Sequence, residues 1–144
     1  QGQTDLALFV LDLNFFFKRV NDTYGHAAGD QVLRRVAKLL QHVTRASDMV
    51  ARFGGEEFLV VLPDASAEIA GNIAERVCTM IRRLKIGPNL IEITASIGVS
   101  LRYNAAQTHV HLTAQELLKQ ADRALYRAKA MGRDRVSYFA EQAA

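Results

Sequence analysis

The sequence predicts an α/β domain of the α+β type: a mainly antiparallel central sheet with a βαββαβ core, one added αβ unit, and helices packed around the sheet. Three observations predict it. Short apolar runs alternate with longer segments in which apolar residues recur at helical spacing. Gly54 and Gly55 separate two strand-like runs with nothing helical between them, and the last helical segment is followed by one more short apolar run.

Taken in order, Leu6 to Asp12 read as a buried strand that ends on a carboxylate. Residues 15–24 predict a short helix, and Tyr24, Gly25 and His26 a break. Asp30 reads as the start of the next helix, because Val32, Leu33, Val36, Ala37, Leu39, Leu40 and Val43 recur at helical spacing up to Thr44. Residues 49–53 and 57–62 are apolar runs joined through Gly54 and Gly55, the pattern of a tight hairpin whose glycines supply positive φ. Pro63 and Asp64 stop the second run. Helical spacing returns over 66–84 through Ile69, Ala70, Ile73, Val77, Met80, Ile81 and Leu84, and Gly87 with Pro88 closes that helix. Alternation through Ile91, Ile93, Ala95, Ile97, Val99 and Leu101 predicts a strand over 91–101. Thr113 with Glu116 three residues on is a capping-box signature for a helix carrying Leu117, Leu118, Ala121, Ala124, Leu125 and Ala128. Gly132 ends that helix, and Val136 to Phe139 form the last strand.

At 144 residues, 49% hydrophobic and 23% charged, the chain has the size and mix of one domain with a real core. Its longest apolar runs, Leu6 to Leu11 and Phe58 to Leu62, fall far short of the ~20 residues that span a bilayer. No signal-peptide pattern opens it, so no membrane contact is expected within this segment, although the parent protein can still be membrane-anchored. The single Cys78 cannot form an internal disulfide; its place in an apolar helical stripe marks it as a small core residue, and a cytoplasmic location fits. Net charge is only +3, but Lys119, Arg123, Arg127, Lys129, Arg133 and Arg135 stand against Asp122 and Asp134 alone. That stretch reads either as a solvated helix face or as an anion site.

The hairpin places Glu56 and Glu57 at its turn, and the first strand delivers Asp12 at its end. If those strands are neighbours, two or three carboxylates meet at one sheet edge. Hard oxygen ligands grouped in this way suit Mg²⁺, which binds through a few carboxylates and substrate phosphates rather than a full protein cage. The alternative is a set of exposed acids beside a hairpin. His109 and His111 form a second candidate metal pair, with an ordinary surface loop as the competing reading.

Gly54 to Phe58 stand as GGEEF, Phe17 to Asp30 as FKRVNDTYGHAAGD, Ala95 to Ser100 as ASIGVS, and Ala124 to Arg135 as ALYRAKAMGRDR. Through these four blocks, spread along the chain, the sequence resembles the GGDEF family of diguanylate cyclases over nearly its whole length. The resemblance implies an enzyme that condenses two GTP molecules into cyclic di-GMP with release of pyrophosphate. It implies Mg²⁺ as cofactor, with Mn²⁺ as an alternative. Asp12, Glu56 and the carbonyl of Leu13 would hold the metal, and Asp12, Glu56 and Glu57 would form the catalytic group. Asn21 and Asp30 would read the guanine edge, where an amide and a carboxylate match its donors and acceptors; without the resemblance both read as helix-capping or turn residues. Lys18, Lys129 and Arg133 would grip the triphosphate. A second copy of the domain, facing the first in a homodimer, would supply the other GTP. The metals would lower the pKa of the attacking hydroxyl and clamp the phosphate.

Arg45 and Asp48 form an RxxD motif just ahead of Gly54, an offset that in this family marks an inhibitory site for cyclic di-GMP. Arg76 on the following helix resembles a further contributor from a partner domain. An exposed turn and an exposed helix arginine are the alternatives.

Two features depart from the family pattern. Asp12 to Lys18 reads DLNFFFK, one residue longer than D-x-D-x-F-K, so Asp12 keeps its place through a bulge or the local register slips. The N-terminal L-T-G-L-x-N-R block is also missing, which suggests a single catalytic domain, residues 1–144, truncated at its N-terminus. Two rivals remain. A catalytically impaired GGDEF domain could act as a cyclic di-GMP or GTP receptor through Arg45 and Asp48. An RNA-binding βαββαβ module would need an exposed aromatic pair on adjacent central strands, which the sequence lacks, so no nucleic acid partner is expected.

Overall fold

The computed structural model describes residues 5–102 and 112–140. Its elements run β1 (Leu6–Asp12), α1 (Asn14–Tyr24), α2 (His26–Val43), β2 (Met49–Arg52), β3 (Glu57–Pro63), α3 (Ala67–Arg82), β4 (Ser96–Arg102), α4 (Ala114–Ala130) and β5 (Arg135–Tyr138). The five strands form one sheet in the order β2-β3-β1-β4-β5. Every pair is antiparallel except β4–β5, which α4 connects as a parallel crossover. The α+β architecture expected from the sequence is the one observed. Among the described residues, no helix is long and apolar enough to cross a membrane.

Strand β1 is apolar at nearly every position because it is central and covered on both faces. Ala7, Phe9, Leu11 and Leu13 enter the larger core with α1, α2 and α3, whereas Leu8 and Val10 pack with Leu117, Ala121 and Leu125 of α4. β3 alternates instead: Phe58, Val60 and Leu62 are buried in the larger core, and the residues between them are half-buried on the α4 side. The same alternation puts Asp12 and Glu57 on the face that α4 covers.

Helix α4 seats closely on that face because β4 carries Gly98 there. A Cβ at this position would lie 2.2 Å from the Ala121 carbonyl oxygen and 2.3 Å from the Leu125 nitrogen. One turn away, the Ser100 hydroxyl donates to the Leu117 carbonyl at 2.7 Å, satisfying a buried polar group. The capping box forms as the sequence predicts, with the Glu116 N–H donating to Thr113 Oγ1 at 3.1 Å.

Four local expectations need correction. Helix α2 begins at His26, four residues before Asp30, because Gly25 at φ 91° is the whole break between α1 and α2. Asn21 and Asp30 therefore lie inside helices and cap neither. The β2–β3 connection is longer than a two-residue turn: the Phe53 N–H donates to the Glu57 carbonyl at 2.7 Å, and neither Gly54 nor Gly55 has positive φ. A Cβ at Gly54 would sit 3.2 Å from Glu57 Oε1, the movable end of that side chain, and a Cβ at Gly55 would meet nothing within 4 Å. Finally, strand pairing starts only at Ser96. Ile91 makes an isolated bridge with Ile86, and Ile91 and Ile93 are buried without being part of the sheet. The extra residue in DLNFFFK produces no bulge in β1, whose register with both neighbours is continuous through Asp12. The His109 and His111 pair lies outside the described residues.

Candidate active site

The site is built where β1 ends. Asp12 pairs across the sheet with Glu57 on one side and Ser96 on the other, and the next residue, Leu13, donates its N–H to the Glu56 carbonyl at 3.1 Å. That last hydrogen bond ties the hairpin loop to the strand end, so the two acidic segments cannot drift apart. The hairpin is braced from within by Arg52, whose Nη2 donates to the Gly55 carbonyl at 2.6 Å and whose Nε reaches both glycine carbonyls.

Lys129, in the last turn of α4, forms an ion pair with Asp12, whose side chain is only 2% exposed. Burial pushes the Glu57 carboxyl up from its ordinary pKa, the Asp12 charge adds to the push, and Lys129 opposes it. Asp122, seven residues before Lys129 on α4, is likewise pushed up by burial and opposed by Lys129. Lys129 thus touches Asp12 directly and acts on Glu57 and on the more exposed Asp122 through its charge. Sequence reasoning missed Asp122; its seven-residue spacing from Lys129, two turns along one helix face, was the available signal.

A divalent cation fits this donor set. Asp12 and Glu57 are hard oxygen donors already opposed on one face, and their mutual repulsion is what an added cation relieves. The Leu13 carbonyl accepts the Phe17 N–H at 2.7 Å and keeps a second lone pair. Among the described residues, no group of three or more His, Cys, Asp or Glu side chains forms a ready-made metal cage, and Mg²⁺ does not require one, because phosphate oxygens complete its shell.

The remaining candidates fall into three places. Lys18 and Asn21 are on α1 and Asp30 is on α2, the helices that follow directly from the strand end. Asn21 Oδ1 is buried with no hydrogen-bond partner. It lies over Gly29, where a Cβ would come within 1.8 Å of it. Asp30 lines a cavity of about 330 Å³ between α2 and the β2–β3 hairpin, together with Leu33, Arg34, Gln41, Arg52 and Phe58. Arg34 and Arg52 were not foreseen from the sequence, since nothing local distinguishes them from other exposed arginines.

Arg133 follows α4 in the turn at Gly132, near the Lys129 end of that helix. Arg45 and Asp48 are elsewhere, at the opposite end of β3. Asp48 accepts from the Arg45 backbone N–H at 2.7 Å and from its Nη2 at 2.8 Å, and the same Nη2 donates to the Pro63 carbonyl at 2.8 Å. The Asp48 side chain is fully buried while that of Arg45 is 42% exposed. Arg76 is exposed on α3.

The comparisons agree with this geometry. A family model described as "Diguanylate cyclase, GGDEF domain" matches residues 1–135. Diguanylate cyclase A of Treponema denticola is 44% identical over 134 residues, covering 92% of this chain and 34% of its own length. The response regulator PleD of Caulobacter vibrioides is 39% identical over 139 residues, covering 94% and 29%. The chain thus spans about a third of the length of these curated relatives. Among solved structures, the active GGEEF domain of a diguanylate cyclase from Vibrio cholerae superimposes with a TM-score of 0.87 at 31% identity, covering 96% of this chain and 85% of that one. The GGDEF domain of DgcB from Caulobacter crescentus, solved in complex with c-di-GMP, gives 0.83 at 34% identity, covering 94% and 78%. With the acidic hairpin, the sheet order and a family match running through almost the whole sequence, the chain belongs to the GGDEF domain family of diguanylate cyclases.

Proposed function

We propose that this chain is a working diguanylate cyclase domain: two copies, each holding one GTP, face one another and join the nucleotides into cyclic di-GMP. In each of two steps a 3′-oxygen bonds to the α-phosphorus of the opposite nucleotide. The bond from that phosphorus to the β-phosphate bridging oxygen breaks, and pyrophosphate leaves with its electrons while the hydroxyl proton passes to solvent.

The observation that carries this reading is the opposition of Asp12 and Glu57 on one partly buried sheet edge, with Lys129 alongside. Bound there, Mg²⁺ or Mn²⁺ would supply Lewis-acid stabilisation of the phosphate charge and acidify the attacking hydroxyl. The protein's part is to hold and orient. Asp12, Glu56 and the Leu13 carbonyl would hold the cation together with Glu57, the carboxylate that the register sets opposite Asp12. Lys129 and Arg133 from α4, with Lys18 from α1, bind the triphosphate. Asn21 and Asp30 read guanine; the orphaned Asn21 Oδ1 is an acceptor aimed at no protein donor and suits a base N–H. Arg45 and Asp48, with Arg76 of a partner copy, bind the product and inhibit.

The test is product analysis. GTP incubated with the chain and Mg²⁺ should yield cyclic di-GMP and pyrophosphate, and chelation should stop it. Tight binding of GTP or cyclic di-GMP with no turnover would replace the enzyme by a receptor.

A further inference from the structure

The turn that follows α4 is held in a conformation its residues do not favour. Gly132, Arg133 and Asp134 have φ of 123°, 63° and 50°, three successive positive values of which only the first belongs to a glycine. The start of this turn is explained by the helix end. Gly132 N–H donates to the Lys129 carbonyl at 3.3 Å and Arg133 N–H to the Ala128 carbonyl at 2.9 Å, the paired bonds of a Schellman motif with glycine at its left-handed position. The motif does not require the next two residues to be left-handed as well. An L-residue there costs on the order of 1 kcal/mol or more, and such strain persists only where the surroundings over-determine it.

What over-determines it is Asp134. Its carboxylate accepts from Arg82 Nε at 3.1 and 3.0 Å through both oxygens, a contact between residues 52 positions apart. Beneath it lies the Cys78 thiol, one turn before Arg82 on α3. The turn is also closed from the other side, where Arg135 Nε donates to the Arg133 carbonyl at 3.0 Å before β5 pairs with β4 beside Ser96. Arg133 is therefore fixed by its own backbone, between a helix end and an anchored aspartate.

We propose that Asp134, clamped by Arg82 of α3, is the positioning residue for Arg133: it holds the left-handed turn that presents the Arg133 guanidinium, alongside Lys129, to the GTP triphosphate. This rests on the reading that Lys129 and Arg133 bind that triphosphate. Asp134 touches no substrate itself. Aspartate suits the role because its short side chain tolerates the left-handed region and carries the charge that Arg82 grips.

The experiment measures KM and kcat for GTP, with thermal midpoints, in Arg133→Ala, Asp134→Ala, Asp134→Asn, Arg82→Ala, and Arg82→Ala combined with Arg133→Ala. Arg133→Ala should raise KM about 10-fold, and Arg82→Ala and Asp134→Ala about 3- to 10-fold with kcat within about 2-fold, the pattern of lost ground-state binding. Asp134→Asn should recover most of the loss, because asparagine tolerates the same φ and keeps an oxygen for Arg82. In the Arg133→Ala background, Arg82→Ala should add nothing. If Asp134→Ala fails to fold, exposed Arg82 carries the test alone. The proposal is overturned if Arg133→Ala raises KM while Arg82→Ala leaves it unchanged, or if Arg82→Ala costs as much without Arg133 as with it. An unchanged KM in Arg133→Ala removes the phosphate reading of Arg133, a distinct failure that takes the positioning role with it.

Discussion

Asp12 and Glu57 stand directly opposite each other on the antiparallel β1–β3 pair, on the face that α4 covers with Lys129. Because cross-strand neighbours share a face, the register sets the Glu57 carboxylate beside Asp12, with Glu56 one residue earlier on the loop. Glu57→Gln should therefore lower cyclic di-GMP formation by on the order of 100-fold and raise the Mg²⁺ needed for half-maximal turnover. Glu56→Gln should also lower turnover but shift the Mg²⁺ requirement less. Metal titrations of both variants, with circular dichroism to verify folding, check the order.

Gly98 is a packing residue. Alanine is ordinarily better than glycine in a strand by roughly 0.5–1 kcal/mol. Here its Cβ would enter the backbone of α4 at 2.2 and 2.3 Å, neither contact being a side chain that can move. Gly98→Ala should destabilise by about 2 kcal/mol or more, read as a lower denaturation midpoint at unchanged m-value. It should also disturb the site, since α4 carries Lys129.

Cys78 is buried at 2% exposure, and that burial, with the nearby Asp134 charge, pushes its thiol up to about 11 from 9.0. The folded chain holds this proton more tightly than the unfolded chain, so the contribution is complete below pH 9 and lost as pH rises through 11. Its size is about 2–3 kcal/mol. Stability of the wild type should fall over that window, and Cys78→Ala should flatten the fall, leaving the part due to Tyr138, which burial also pushes up. At pH 8 a thiol reagent should label the native chain far more slowly than the denatured one.

Arg45 lies at the far end of β3 from Glu57, roughly 20 Å along the strand at the usual rise per residue. Direct competition between a ligand there and GTP is excluded by that distance. Arg45→Ala should weaken cyclic di-GMP binding at least ~10-fold, about 1.4 kcal/mol, and relieve product inhibition while preserving the initial rate. Arg45→Lys should restore little, because one ammonium cannot reproduce a planar fork. Isothermal titration and progress curves check both; unchanged affinity would leave the motif as the surface turn that Asp48 already closes.

How much of this was legible in the sequence depends on the range of the interaction concerned. β1, the capping box of Thr113 and Glu116, and the helical stripe of α3 are set by neighbours within a few positions, and all form where the pattern puts them. The alternation through Ile91 and Ile93 reported burial correctly and pairing incorrectly, because β1 offers partners only from Ser96 to Arg102. The Gly54-Gly55 pair points to positive φ by its composition, yet neither residue adopts it, because four residues rather than two connect the strands. The edge joining Asp12 to the GGEEF run was legible once those strands were assumed adjacent. The Arg82–Asp134 clamp was not, since its two residues lie 52 positions apart and meet only when the turn after α4 is folded onto α3.

The central claim, that two copies of this domain each bring one GTP to a shared reaction, is tested most directly by product analysis over a range of protein concentrations. Nucleotides from reactions with GTP and Mg²⁺ are separated so that cyclic di-GMP, the linear intermediate pppGpG and GTP are resolved. The account predicts cyclic di-GMP as the final product, two pyrophosphates released per product, and a specific activity that rises with protein concentration until the pairs are saturated. GDP and phosphate as the products, or turnover at constant specific activity by a demonstrated monomer, would contradict it.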